Sequence, residues 1–131
     1  MKNIDENNEK LNQEKLFKIK DIIKWLLSTY YKSTGIKVFF IDRKGQLFLS
    51  STSDYIFCDF CGLIQNSWVG KNKCVKSFRD GANKSYEYGF PYIYRCHSGI
   101  IEWVAPFNYE GRWLGSFVSG GVLMRKPDLF F

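Results

Sequence analysis

The chain is poor in several residues that usually announce chemistry or compartment. Its 131 residues include one histidine, His97, three prolines and two methionines. A single imidazole excludes multi-histidine metal centres and leaves one ring for acid–base work. No apolar run reaches the roughly eighteen residues that suggest a membrane-spanning helix. Met1 to Lys15 is polar and lacks the apolar stretch of a secretory signal. The expectation is a soluble, cytoplasmic chain with no membrane contact. Basic arms are also missing: the first 24 residues hold six lysines against five acids, so the net charge of +6 is spread along the chain. The local excess, Lys71, Lys73, Lys76, Arg79 and Lys84 against Asp80, fits one solvated helix side. No helix-turn-helix pattern, zinc-finger spacing or aromatic RNA-binding signature accompanies it, so no direct nucleic-acid contact is expected.

Aromatic residues, by contrast, are abundant. The chain is 45% hydrophobic and 18% aromatic, with twelve Phe, eight Tyr and four Trp, far more ring surface than a disordered chain carries. Its length allows one core. The division expected is a polar lead-in and helix start over residues 1–15, then one domain over 16–131. Residues 1–9 read as a frayed lead-in. Leu16, Ile19, Ile23, Leu26, Leu27 and Tyr30 then recur at helical spacing and predict a long amphipathic helix closed near Gly35. Its length would also suit a homodimer formed through this helix. Ile36–Ile41 and Gln46–Ser50 read as a hairpin across Asp42-Arg43-Lys44-Gly45. Phe60, Leu63, Ile64 and Trp68 form one helical stripe, and Cys74, Phe78 and Ala82 a second, with Gly70 and Gly89 read as punctuation. Strands return at Tyr92–Cys96, at Ile100–Ala105 and at Arg112–Val118 continuing towards Leu123, with a turn at Glu110-Gly111. This order predicts an α+β fold: a five-stranded antiparallel sheet with helices packed on one face, as in PAS-like domains.

From Phe60 to Leu123 the chain resembles the PocR sensory (ligand-binding) domain, a PAS-like variant. The residues carrying the likeness are Phe60-Cys61, Leu63-Ile64, Gly70, Cys74, Gly89, Pro91, Tyr94, Cys96-His97 with Gly99, Pro106, Gly111, Leu114-Gly115, Gly120 and Val122-Leu123. The chain departs from the family at Ser98 where Ala is usual, at Glu102 where Asp is usual and at Gly121 where Gln is common. Cys58 is an additional cysteine. The resemblance implies a non-enzymatic sensory module of a bacterial signal-transduction or transcription regulator. Such a module binds a small molecule, a simple hydrocarbon derivative such as a diol, and acts on a DNA-binding or histidine kinase output domain outside this chain. Phe78, Tyr94, Cys96, His97 and Trp103 are the residues expected near the ligand.

The cysteines carry the alternatives. Cys58-x2-Cys61, Cys74 and Cys96 fall with His97 in one forty-residue window. Four thiolates could hold zinc or an iron–sulfur cluster, the latter making a redox or gas sensor. Equally, Cys61, Cys74, Cys96 and His97 could line an organic-ligand cavity or bind a metal with Cys58 incidental, or the thiols could be small buried hydrophobes. A Cys–His nucleophile is the remaining reading. It requires convergence that neighbours on one strand do not readily supply.

Overall fold

A computed structural model describes residues 2–53 and 59–122. The order is α1 (Lys2–Lys18), α2 (Lys20–Thr34), β1 (Val38–Asp42), β2 (Leu47–Ser50), α3 (Asp59–Gln65), α4 (Trp68–Tyr88), β3 (Tyr92–Arg95), β4 (Ile101–Tyr109) and β5 (Arg112–Val122). The strands form one antiparallel sheet in the order β2-β1-β5-β4-β3. This is the expected α+β, PAS-like architecture.

Local chemistry sets the boundaries. Gly35 at φ 72° closes α2, its amide donating to Tyr31 O at 2.8 Å. Positive φ costs a side chain least at glycine. The β1–β2 turn is tied by Asp42, whose Oδ1 accepts from the Lys44 and Gln46 amides at 2.9 Å each. Ser67 caps α4, accepting from the Gly70 amide at 3.0 Å. Gly70 therefore lies inside α4 and punctuates nothing. Its role is proximity, since a Cβ there would stand 2.0 Å from Ile64 O in α3.

The N-terminal helix differs from expectation in two ways. It begins at Lys2 without a frayed lead-in, and it divides at Ile19, where φ −104° and ψ 12° leave the helical range. Hydrogen bonding continues across the division, from Ile19 N to Lys15 O and from Ile23 N to Ile19 O.

Helices cover both faces of the sheet instead of one. Leu16, Ile19, Ile23 and Leu27 from the N-terminal helices pack with Val38, Phe40 and Leu114 on the first face. Phe78 and Ala82 of α4 pack with Ile41, Val104, Trp113 and Val118 on the second. The reason is in the strands: Phe40 and Ile41 are adjacent, both fully buried, and point in opposite directions. A sheet apolar on both sides needs two covers. In β5 the pairing partner changes from Gly115 to Trp113 as β4 passes from Phe107 to Asn108. Leu114 is thus the extra residue of a bulge, which reverses the alternation. Trp113 and Phe117, of one parity in the sequence, consequently pack on opposite faces.

Candidate functional site

On the α4 face, the β3–β4 hairpin brings together most of the chain's distinctive chemistry. Tyr94 and Glu102 are direct cross-strand partners and so project from the same face. Cys96, two residues beyond Tyr94, follows the same alternation. The hairpin closes immediately after it, with Cys96 N donating to Ile100 O and Gly99 N to Cys96 O, both at 2.9 Å. Space for Glu102 comes from its other neighbour, Gly120, where a Cβ would stand 2.7 Å from Glu102 Cα. Opposite, α4 supplies Cys74, Phe78 and Gly81. Gly81 lies against the Tyr94 ring, a Cβ there falling 2.7 Å from Tyr94 Cε1.

Cys74, Phe78, Cys96 and Glu102 of this group border a small cleft, lined also by Phe60, Cys61, Ile64 and Gln65 of α3 and by Ser98 and Ile100 of the hairpin, whereas Tyr94 and Gly81 lie outside its lining. It offers about 20 Å³ to water centres, room for about one water-sized group. Glu102 is 3% exposed. Among the described residues its Oε2 has no hydrogen-bond partner, and neither has the buried hydroxyl of Tyr94. Burial pushes the Glu102 carboxyl up to about 7, opposed by the Cys96 thiol, which hydrogen-bonds to it. Burial likewise pushes the Cys74 thiol up to about 11, with the neighbouring Cys96 and Glu102 adding to the effect. Burial also raises Cys96 and Tyr94, and Glu102 adds to both.

Cys74 Sγ lies 3.2 Å from His97 Nε2. The backbone places that ring: His97 N donates to Ser77 Oγ at 3.1 Å, and Ser98 N donates to Cys96 Sγ at 3.3 Å. Partial burial and the Lys73 charge lower the His97 pKa. The pair therefore rests as neutral thiol and neutral imidazole, the reverse of the thiolate–imidazolium state of a nucleophilic cysteine.

Of the residues expected near a ligand, Phe78, Tyr94, Cys96 and His97 gather around this region, and Trp103 does not. Its neighbours Glu102 and Val104 face α4. Trp103 itself lines an apolar groove on the opposite face with Leu26, Leu27, Tyr30, Ala105 and Phe117. Three of the four cysteines, Cys61, Cys74 and Cys96, border the cleft, whereas Cys58 lies outside the described residues. Among those residues, no group of three or more His, Cys, Asp or Glu side chains is arranged to hold a metal ion. The zinc or iron–sulfur expectation finds no support in them, and no chemistry is derived through either. In the sequence Glu102 is a departure from the family and one of the acids near Cys96-His97, for which a surface position is the expectation; it is instead buried, at 3% exposure. The signal available was one charged residue within an otherwise apolar strand, Ile100-Ile101-Glu102-Trp103-Val104. The basic residues Lys71, Lys73, Lys76, Arg79 and Lys84 are exposed, as a solvated helix side requires.

A β2-β1-β5-β4-β3 antiparallel sheet with helices packed against it defines a domain of the PAS-like class. Within that class the assignment is specific: residues 16–131 match the family described as the sensory domain found in PocR, and the chain belongs to that family. Regulatory protein PocR of Salmonella typhimurium is 24% identical over 102 residues, 78% of this chain and 33% of that protein. The chain thus spans about a third of the length of this curated relative. No helix among the described residues is long and apolar enough to cross a membrane.

Proposed function

We propose that this chain is the ligand-sensing module of a bacterial signal-transduction or transcription regulator. It takes a small molecule at the cleft between α3, α4 and the β3–β4 hairpin, which holds about one water-sized group as it stands and must open by movement of α3 for anything larger. It works in the cytoplasm and performs no catalysis. One observation carries the reading: among the described residues, Glu102 Oε2 is buried without a partner on the wall of a cleft that Phe60, Ile64, Phe78 and Ile100 line with carbon and Gln65 and Ser98 with polar groups. Burying a polar atom unpaired costs about 1–3 kcal/mol, and native structures seldom leave one so. A guest supplying the missing hydrogen bonds is favoured by that amount. The neutral state of the Cys74–His97 pair supports binding over nucleophilic catalysis. Family membership and the likeness to a regulatory protein support the sensory role.

Transmission follows from differential affinity, because a guest that fits one arrangement of α3 and α4 better than another shifts the population towards it. The output domain is then a DNA-binding or kinase unit joined to this one. The test is ligand-observed NMR with two- and three-carbon alcohols, diols and amines, comparing the protein with Cys96→Leu, which fills the cleft and removes the thiol beside Glu102. Binding of at least one probe, abolished in a folded Cys96→Leu variant, is expected. No binding by any probe, or equal binding to the variant, would overturn the proposal.

A further inference from the structure

At the opposite end of β5 from the cleft, where the strand begins beside the β1–β2 turn, lies a second and larger space. This pocket of about 410 Å³ is enclosed by α1, that turn, α4 and the Leu114 bulge, and it shares no lining residue with the cleft. Its volume falls in the range of small-molecule sites. Asn12 of α1 is on its wall and only 4% exposed. Arg112 Nη1, which can only donate, stands 3.3 Å from Asn12 Oδ1, so the amide oxygen faces the arginine and Nδ2 is left over. Among the described residues no acceptor meets Nδ2. Arg43 of the turn borders the same pocket. Its guanidinium lies 5.0 Å from the centre of the Trp113 ring, which is stacked with Tyr86 at 4.2 Å, and it forms no ion pair among the described residues. The acids on the wall are already engaged: Glu9 pairs with Lys44 at 3.1 Å, and Asp42 Oδ1 accepts two turn amides.

We infer that this pocket takes a small hydroxylated monocarboxylate, its carboxylate accepting from Arg43 and Asn12 Nδ2 and its hydroxyls meeting the exposed side-chain amides of Asn8, Gln13 and Asn83. An orphaned amide donor and an uncommitted guanidinium both call for an acceptor, and the guanidinium fork matches the planar carboxylate. Glu9 and Asp42 balance Arg43 and Lys44, so the wall is neutral as it stands and receives one further negative charge more readily than two. Primary amides both donate and accept, as hydroxyl groups do, which suits the pairing at the rim. The guest joins Asn12 of α1 to Arg43 of the turn and thereby fastens α1 to the sheet. This site stands apart from the cleft between α3 and α4, and the two succeed or fail independently.

Isothermal titration calorimetry on the intact chain tests this with four probes: gluconate; sorbitol, the same carbon chain with a hydroxyl in place of the carboxylate; hexanoate, which lacks the hydroxyls; and inorganic phosphate. Gluconate should bind about tenfold or more tighter than sorbitol or phosphate, and severalfold tighter than hexanoate. Arg43→Gln, at an exposed position, should erase the preference over sorbitol. Asn12→Asp keeps the acceptor for Arg112 and puts a negative charge where the donor was, so it should lose gluconate; circular dichroism confirms folding, and Arg43→Gln carries the test if Asn12→Asp unfolds. Gluconate should also slow hydrogen exchange in α1. Cys96→Leu alters the cleft alone and should leave gluconate affinity unchanged; a loss there would place the acid in the cleft and overturn the inference. Sorbitol equal to gluconate would remove the carboxylate contacts, hexanoate equal to it the hydroxyl contacts, and phosphate equal to it any selection among anions, and each overturns the inference. So does gluconate binding that survives both pocket substitutions, or no binding of gluconate at all.

Discussion

Glu102 shows how one side chain couples stability to pH. Its carboxyl lies at about 7 in the folded chain against an ordinary 4.5. Between those values the folded state holds the additional proton. Stability contributed by this group is thus full below pH 4.5 and is lost as pH rises through 7, a change of roughly 3 kcal/mol. Glu102→Gln keeps the shape and removes the titration. Urea unfolding at pH 5 and pH 8 should therefore show the wild type losing stability relative to the variant as pH rises, by about 1–3 kcal/mol. A constant difference between the two proteins would mean that the carboxyl is not buried as described.

Among the elements, α4 is the most connected to the cleft, and its attachment to the sheet is local and testable. Ser85 Oγ lies within donating distance of Phe90 O at 2.8 Å and Val104 O at 3.1 Å, joining the last turn of α4 to β4. Replacing Ser85 by Ala should cost about 1 kcal/mol in denaturant unfolding with an unchanged m-value. A neutral result would show that the packing of Phe78 and Ala82 suffices. The strands, the β1–β2 hairpin and the cap at Gly35 were legible because turn residues and alternation are local properties of the chain. The face each residue takes was not. The parity of Trp103 can be counted, but its direction depends on which helix covers which side. The reversal after Trp113 depends on a bulge at Leu114 that no local pattern marks. For the same reason Tyr94 and Cys96 could be grouped from their spacing, whereas the meaning of Glu102 required knowing that β4 pairs it with Tyr94 and Gly120.

For the molecule as a whole, the two covers of the sheet differ in how firmly they are held. Ile23 and Leu27 place α2 deep against β1, with exposures of 0% and 1%. Among its described side chains, α1 buries only Asn12 and Leu16, and it is tied to β5 by Arg112 Nη1 donating to Asn12 Oδ1 at 3.3 Å and to the β4–β5 turn by a surface pair, Lys15 with Glu110. Such surface pairs contribute about 0–1 kcal/mol. Hydrogen exchange should accordingly reach the amides of α1 well before those of α2, β1 and β5. Matching protection would make α1 part of the cooperative core. The thinness of β4 has its own consequence. Glu102 and Trp103 hang from neighbouring atoms of one backbone, one into the cleft and one into the groove beneath α2. The strand is a party wall a single residue thick, so a guest that pushes on one room moves the furniture in the other.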